Sequence, residues 1–299
     1  MCTGVDGSVS ERYVPIDTFR PTLCERRKRF LDKETSAKKW NGVAGQFNDL
    51  RVPIWEEDLF LKTIEKLPVW GKDTEVLDLG CGAGRYSIAV ADRCGHVTGS
   101  DVSPKMIDYA DKKKTEFGKE NITFVNECWH DIDINERGYK KKFDLIFGHM
   151  TPAFDTVEDI EKATRASKGY CALATFAERR APVGERFLEF METETHWHDE
   201  NKIPMFFEYL YKAKKHPQVN YYRRDDTQEF DETGASTFLR DRYVLDTASE
   251  ADEQVEEKIR EFVMSEMKDG KFVNVVNAVI VTLVWQAEDN ADGFEGYKR

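Results

Sequence analysis

Short apolar runs alternate with amphipathic segments through the middle of the chain. The runs predict strands at 75–79, 96–100, 122–125, 143–147 and 170–176. Helices are predicted between them at 86–93, from Ser103 onward, and at 159–167. Nearly continuous apolar strands indicate burial on both faces, and the alternation implies right-handed crossovers between parallel strands. The pattern therefore predicts an α/β fold with a doubly wound, mainly parallel sheet and helices on both faces.

Weaker patterns flank this centre. Helices are predicted at about 26–40, 54–67, 205–214 and 250–267, and strands at 219–223 and 272–285. The long final strand has two candidate neighbours, the strand at 219–223 and the fifth strand. We divide the chain into N-terminal helices with a lid (1–70), a ligand-binding core (71–180), substrate-side insertions with the last strands of the same sheet (181–286), and a poorly ordered tail (287–299).

Charge and composition narrow the class of protein. The 299 residues carry 44 Lys and Arg against 56 Asp and Glu, a net charge of −12. Such a surface repels a phosphate backbone, so nucleic acid is disfavoured as a partner. The basic run Arg26–Arg29 could be a nuclear signal or phosphate patch, but a solvated helix face is the favoured interpretation.

Cysteine use and hydrophobicity indicate the compartment. The six cysteines form no C-x-x-C pair and are scattered, which predicts reduced thiols. The longest apolar stretch, 272–285, has 14 residues, whereas a membrane span needs about 20. The first residues lack the apolar centre of a signal peptide. A cytoplasmic protein with no membrane partner is therefore expected.

A glycine-rich turn follows the first strand. Gly80, Gly82 and Gly84 lie between that strand and a helix, where glycine permits a sharp turn and close approach of a ligand. Asp101 lies 17 residues after Gly84, at the end of the second strand. A carboxylate there can accept hydrogen bonds from both hydroxyls of a ribose. The two features predict a site for an adenosine-containing ligand.

Two details separate the candidate ligands. A dinucleotide site has the pattern G-x-G-x-x-G, but here the third glycine comes one residue early and Arg85 follows it. Asp78, two residues before Gly80, adds negative charge that suits a cationic amine or sulfonium and opposes a pyrophosphate. No G-x-x-x-x-G-K-[ST] sequence is present, which argues against a nucleotide triphosphatase.

The run 76–84, V-L-D-L-G-C-G-A-G, followed by D-V-S-P-K-M at 101–106, resembles class I S-adenosylmethionine-dependent methyltransferases. The likeness extends over roughly residues 40–176. It implies a Rossmann-like sheet of seven strands with the seventh antiparallel beside the fifth, a place that 272–285 would fill. It also implies S-adenosylmethionine as cofactor and S-adenosylhomocysteine as product.

The resemblance assigns site residues. The cofactor would be bound by Asp78, Gly80, Cys81, Gly82, Gly84, Asp101, Val102, Cys128, Trp129 and Gly148. Cys128 occupies the position of the usual acid near the adenine, so Trp129 either stacks on that ring or packs under a loop. Met150 and Thr151, after the fourth strand, would face the substrate. Trp40 and Phe47 lie in a segment similar to a family lid, the alternative being a place in the core.

The loop after the fourth strand bears on the chemistry. It lacks the Asn-Pro-Pro-aromatic pattern, and the chain has no Pro-Cys pair, which further lowers the nucleic-acid interpretation. The sulfonium is already activated, so the protein must align the acceptor and exclude water. His149 is the candidate general base if the acceptor carries a proton, the alternative being a structural hydrogen bond.

The remaining signals concern metal and acceptor. His196 and His198 could chelate a metal on a strand, but no third ligand follows and a surface loop is favoured, so no metal is expected. Many aromatics in 179–268 suggest a partly apolar or cationic acceptor. The sequence thus predicts a methyltransferase acting on a small molecule. The alternatives are an NAD-dependent oxidoreductase, a protein or RNA methyltransferase, and a non-catalytic binding protein.

Overall fold

The computed structural model describes residues 32–192, 202–244 and 253–288. Seven strands form its sheet: β1 Gly71–Leu79, β2 Cys94–Asp101, β3 Ile122–Asn126, β4 Phe143–His149, β5 Ser167–Arg180, β6 Gln218–Phe230 and β7 Phe272–Gln286. The α-helices in these ranges are α1 Lys33–Asn48, α2 Leu59–Glu65, α3 Arg85–Ala91, α4 Pro104–Glu116, α5 Val157–Ala166, α6 Pro182–Phe190, α7 Ile203–Lys212, α8 Glu232–Leu239 and α9 Glu253–Glu266. None of these helices is long and apolar enough to cross a bilayer.

The sheet has the order β3-β2-β1-β4-β5-β7-β6. Strands β1 to β5 are parallel, and β7 runs antiparallel to both β5 and β6. The predicted doubly wound, mainly parallel sheet of seven strands is confirmed. Both candidate neighbours of the final strand are correct, because β7 lies between them.

Local capping explains where several helices begin. Ser103 accepts a hydrogen bond from Met106 N and Pro104 occupies the first helical position of α4, as the sequence indicates. The helix expected at 54–67 is shorter, because Asp58 accepts from Leu61 N at 2.9 Å and sets the start of α2 at Leu59.

The first described helix also departs from expectation. A helix ending near Trp40 was expected, but α1 begins after the cap Asp32 and continues to Asn48. Gly42 and Gly45 lie within it, and the chain nonetheless remains helical. Three other expected features, the basic run Arg26–Arg29, the His196–His198 segment and the tail beyond 288, lie outside the described residues.

Two apolar clusters cover the two faces of the sheet. On one face Phe60, Ile88 and Ile107, from α2, α3 and α4, pack against Val76 and its neighbours. On the other face Ile160 of α5 and Phe206 of α7 meet the opposite set of strand residues, including Leu77, Phe143 and Trp285. Burial on both faces explains why the central strands are almost wholly apolar.

The last strands extend past the carboxyl ends of the central ones. β4 ends at His149 opposite Ala174, whereas β5 continues to Arg180 and pairs with β7 as far as Asn277. Helices α6, α8 and α9 pack on this extension around a third apolar cluster that shares no residue with the other two. We call 176–190, 222–244 and 253–280 the arm. It lies at the sheet edge where the glycine turn is.

Candidate active site

The turn after β1 depends on glycine at two positions. Gly80 and Gly84 have φ of +65° and +78°, a region that side-chain-bearing residues rarely adopt. A Cβ on Gly80 would lie 1.8 Å from Thr151 Oγ1, and one on Gly84 would lie 2.7 Å from Phe124 Cζ. The glycines therefore let the turn pack directly against the loop after β4 and against β3. Gly82, with φ of +54°, completes the turn.

Asp101, at the end of β2, forms hydrogen bonds that hold the turn in place. Its Oδ2 accepts from Gly82 N at 2.9 Å, and its Oδ1 accepts from Ser103 N at 2.9 Å. Burial raises the pKa of this carboxyl, while the two backbone hydrogen bonds oppose the rise. Val102 follows it and is half-buried. The structure thus brings the predicted carboxylate into contact with the predicted glycine turn.

Asp78 lies beneath the turn. The side chain is only 2% exposed, and Oδ2 accepts from Ser87 Oγ at 2.6 Å. Burial raises its pKa to about 7. Cys81 is half-buried, with Sγ 3.6 Å from Gly82 O, and burial raises the pKa of its thiol. Asp78 therefore supplies a buried group whose charge depends on what binds above it.

The loop after β4 closes the opposite side of the turn. Gly148 is in close contact with this loop, since a Cβ there would lie 2.7 Å from Thr151 Cγ2. Met150 has a φ of +55°, which is uncommon for a residue with a side chain and marks a strained position. Thr151 is buried, and its Oγ1 accepts from Ala153 N. Thr151 is thus part of the wall of the turn.

His149 lies at the end of a hydrogen-bonded chain. Tyr86 OH donates to Asp58 Oδ2 at 2.9 Å and lies 3.0 Å from His149 Nε2. The Tyr86 and His149 rings are 4.1 Å apart. The phenol of Tyr86 therefore lies between the carboxylate of Asp58 and the imidazole of His149.

The surroundings of His149 keep it neutral. Burial, followed by the positive charges of Arg85 and Arg224, lowers its pKa to about 3. Burial and the neighbouring carboxylate of Asp58 raise the pKa of Tyr86. Both shifts favour the neutral forms of the His149 imidazole and the Tyr86 phenol at neutral pH.

Sequence reasoning missed Asp58, Tyr86 and Arg85. Asp58 and His149 are far from Tyr86 in the chain, so only the fold brings the three side chains together. Arg85 is half-buried, 5.4 Å from the Tyr86 ring, and makes no hydrogen bond or ion pair within the described residues. The sequence did contain a signal for Arg85 and Tyr86, since they are the first two residues of the helix that follows the glycine turn and so lie next to the ligand site.

Cys128 and Trp129 lie after β3, as predicted, but both are buried. The Trp129 ring belongs to the apolar cluster of Leu77 and Phe143. Lys162 Nζ lies 5.4 Å from the centre of that ring. This packing favours the interpretation of Trp129 as a side chain under a loop.

Helix α1 lies across the turn. Asn41 Oδ1 accepts from Ser103 Oγ at 2.7 Å and from Lys105 N at 3.2 Å. Ala44 on the same helix packs with Ala83 of the turn and with Met106. Trp40 and Phe47 flank this contact, with ring centres 5.8 Å apart. The lid segment and the glycine turn are therefore brought together.

Within the described residues, no three His, Cys, Asp or Glu side chains form a group that could hold a metal. The histidines His196 and His198 fall outside those residues. The described site is thus built from a glycine turn, one half-buried carboxylate, a neutral imidazole and an arginine, beneath a helix.

A family model described as a methyltransferase domain matches residues 71–234, more than half of the chain. The chain therefore belongs to this methyltransferase family. A methyltransferase structure from Bacillus halodurans shares the fold, with a TM-score of 0.50 and 13% identity over 77% of this chain and 99% of that one. The sheet order and the family are those of class I S-adenosylmethionine-dependent methyltransferases.

Two curated proteins are similar in part. The aklanonic acid methyltransferase of Streptomyces sp. (strain C5) is 35% identical over 91 residues, 29% of this chain and 38% of that protein. The ubiquinone biosynthesis O-methyltransferase of Coxiella burnetii (strain RSA 331) is 32% identical over 158 residues, 51% of this chain and 60% of that protein. The chain thus spans between 38% and 60% of the length of these relatives.

Proposed function

We propose that this chain transfers the methyl group of S-adenosylmethionine to a small-molecule acceptor and releases S-adenosylhomocysteine. The observation that carries the proposal is the meeting of three segments. The glycine turn with Asp101, the loop after β4 and helix α1 converge at one edge of the sheet. The names of the two curated relatives, which act on aklanonic acid and in ubiquinone biosynthesis, favour a small acceptor. The net charge of −12 disfavours RNA.

In this proposal the turn and its neighbours hold the cofactor. Asp101 accepts the ribose hydroxyls, and Gly80 to Gly84 allow the backbone to approach the methionine half. Cys128 and Gly148 contribute the walls on either side. Asp78 offers negative charge below the sulfonium, and Trp40 and Phe47 cover the ligand. The half-buried guanidinium of Arg85 suits a carboxylate, such as the one at the methionine end.

The reaction needs alignment more than acid–base chemistry. A lone pair of the acceptor attacks the methyl carbon, the bond from carbon to sulfur breaks, and sulfur keeps the electron pair. Holding the acceptor in line supplies up to about 7–11 kcal/mol of the barrier. The arm, with its exposed aromatic side chains beside the carboxyl edge, is where the acceptor pocket would form.

His149 then acts toward the acceptor as a hydrogen-bond acceptor and weak base. A group with a pKa of about 3 cannot take a proton from an alcohol, but it can receive one from an acceptor that becomes acidic as the methyl group bonds. The imidazolium so formed would donate from Nε2 to Tyr86, whose own hydrogen bond leads to the carboxylate of Asp58. Acceptors that ionise near neutrality fit this arrangement best.

Two measurements test the proposal. Calorimetric titration with S-adenosylmethionine should show binding that Asp101→Ala abolishes. Incubation with methyl-labelled cofactor and separate pools of metabolites, protein and RNA should then place label in the metabolite pool. Label confined to protein or RNA would contradict a small acceptor. Cofactor binding without label in any pool would instead favour a non-catalytic binding protein.

A further inference from the structure

Strand β6 is the longer of the two edge strands of the sheet, with thirteen residues against five in β3. It pairs with β7 from Gln218 to Phe230 in one continuous register, without a bulge. Within the described residues no strand pairs with its other side. Edge strands are usually kept short, or are blocked by charged side chains, above all lysine, by proline or by a bulge. β6 contains charged side chains but no lysine, proline, glycine or bulge, so it presents a long and regular row of backbone donors and acceptors.

The centre of this edge has a distinctive order of charges. Two arginines, Arg223 and Arg224, are followed directly by two aspartates, Asp225 and Asp226. Arg224 Nε bonds to Asp226 Oδ2 at 2.8 Å, and Asp225 Oδ1 accepts from Asn277 Nδ2 at 2.9 Å. Arg223 is exposed and makes no ion pair within the described residues. The strand therefore carries an unpaired cation two residues from an anion on the same face.

We propose that β6 is a docking surface for β6 of a second copy of this chain. Two copies related by a two-fold axis normal to the sheet would pair antiparallel, with residues of the same face opposite each other. In the register centred on Arg224, Arg223 lies opposite the partner's Asp225, and the converse pair forms by symmetry. The sheet would then continue across the two copies as fourteen strands.

The same register also suits the central residues. Arg224 would lie opposite the partner's Arg224, but each arginine is already bonded to Asp226 of its own strand. The partner's Asp226 is then the diagonal neighbour of Arg224, within reach of a long side chain. The four groups alternate in sign, so the like charges at the centre are compensated.

A purely protective role for these charges fits the pattern less well. Charges that guard an edge act by repelling an identical edge or by resisting burial. The order Arg-Arg-Asp-Asp favours pairing instead. When a second copy of the strand runs antiparallel to the first, arginines of one copy face aspartates of the other. Each copy carries a net charge of −12, so a local match of this kind is needed for two copies to associate.

Sedimentation of charge variants tests the surface. We expect a dimer for the wild-type protein at tens of micromolar. Arg223→Asp and Asp225→Arg should each weaken self-association at least tenfold, because both place like charges opposite each other. The double variant R223D/D225R restores opposite pairs and should dimerise again. Lys258→Asp, an exposed change of the same sign on α9, serves as the control and should leave the dimer intact.

A cross-link tests the register. Arg224→Cys would place two cysteines directly opposite, at a Cα separation of about 4.5–5.5 Å that a disulfide can span. Thr227→Cys would place them far apart. Oxidation should therefore link Arg224→Cys but not Thr227→Cys copies. A monomeric wild-type protein, or a double charge variant that stays monomeric with native circular dichroism, would overturn the proposal. Cross-linking through Asp225→Cys instead of Arg224→Cys would overturn the register.

Discussion

At the scale of single residues, the charge of Arg85 adds to the effect of burial on the pKa of His149. The pKa of His149 is lowered to about 3 by burial and then by the charge of Arg85. Arg85→Gln removes that cation, so the pKa should rise toward the unperturbed value of 6.5. An NMR titration of the imidazole measures it. Arg93→Gln, near the other end of α3, should leave the pKa unchanged. An unchanged pKa in the Arg85 variant would show that burial and Arg224 keep His149 neutral without Arg85.

The same histidine affects stability in a defined pH window. Its pKa is lower in the folded protein, so the unfolded chain binds the extra proton first. Stability is therefore lost as the pH falls from about 6.5 toward about 3. In Arg85→Gln that window should narrow, because the folded pKa is closer to the unfolded one. Urea unfolding at pH 4, 5 and 7 gives the comparison.

Asp78 has the opposite dependence on pH. Burial raises its pKa from 3.8 to about 7, so its favourable contribution is complete below pH 3.8 and is lost as the pH rises to about 7. Asp78→Asn removes the titration and should flatten the free energy of unfolding over that range, by an amount on the order of a few kcal/mol. Equal slopes for the two proteins in urea unfolding at pH 4, 5, 6 and 7 would show that folding does not raise the pKa of Asp78.

At the scale of elements, the glycine turn is fixed by packing as well as by φ. Gly84→Ala should cost about 1–2 kcal/mol for the left-handed backbone and a further amount of about 1–3 kcal/mol for contact with Phe124 and Ala110. Gly138→Ala is a matched control, since Gly138 has φ of +70° but nothing within 4 Å of an added Cβ. Equal urea midpoints for the two variants would refute a packing role.

The amide of Asn41 is one of the groups that hold helix α1 over the turn. Asn41→Ala removes the acceptor of Ser103 Oγ and of Lys105 N, leaving the helix held by Ala44 and its neighbours. If α1 covers the cofactor, S-adenosylmethionine should dissociate several-fold faster from this variant in stopped-flow measurements. Asn135→Ala, which breaks contacts only within a distant turn, should leave the rate unchanged. Equal rates in all three proteins would remove the lid role.

The sequence predicts best the helices and strands whose position is determined by one strong local feature. The strands β1, β2 and β4 are largely buried on both faces, and the start of α4 has a cap and a proline, so local pattern suffices. The helix at 54–67 was expected too long, because its apolar spacing continues on both sides of the cap Asp58. The second half of β6 was missed since exposed polar residues give no hydrophobic period.

The site divides in the same way. The glycines of the turn and Asp101 are recognisable from their spacing along the chain, and in the structure Asp101 bonds to the turn at Gly82. The hydrogen-bonded side chains of Asp58, Tyr86 and His149 could not be recognised in the sequence, because they belong to three segments that are distant from one another along the chain. Contacts of that kind depend on the order of strands in the sheet. Local patterns do not determine that order, and only the family resemblance predicted it.

At the scale of the whole molecule, the arm has an apolar centre separate from the two clusters beside the sheet. Phe262 in that centre is buried and lies 5.1 Å from the ring of Phe187. Truncation of a buried phenylalanine costs about 3–5 kcal/mol. Because the cofactor residues lie in the sheet and its turns, Phe262→Ala should loosen the arm alone.

The expected result for Phe262→Ala is a separation of binding from turnover. Hydrogen exchange should accelerate in the arm but not in β1, β2 or β4, and the affinity for S-adenosylmethionine should stay within about twofold. Methyl transfer should be lost, because the arm builds the acceptor side of the proposed site. Phe143→Ala, in a cluster beside the sheet, should impair both properties. Parallel loss of cofactor affinity and transfer in Phe262→Ala would mean that arm and core form one cooperative unit.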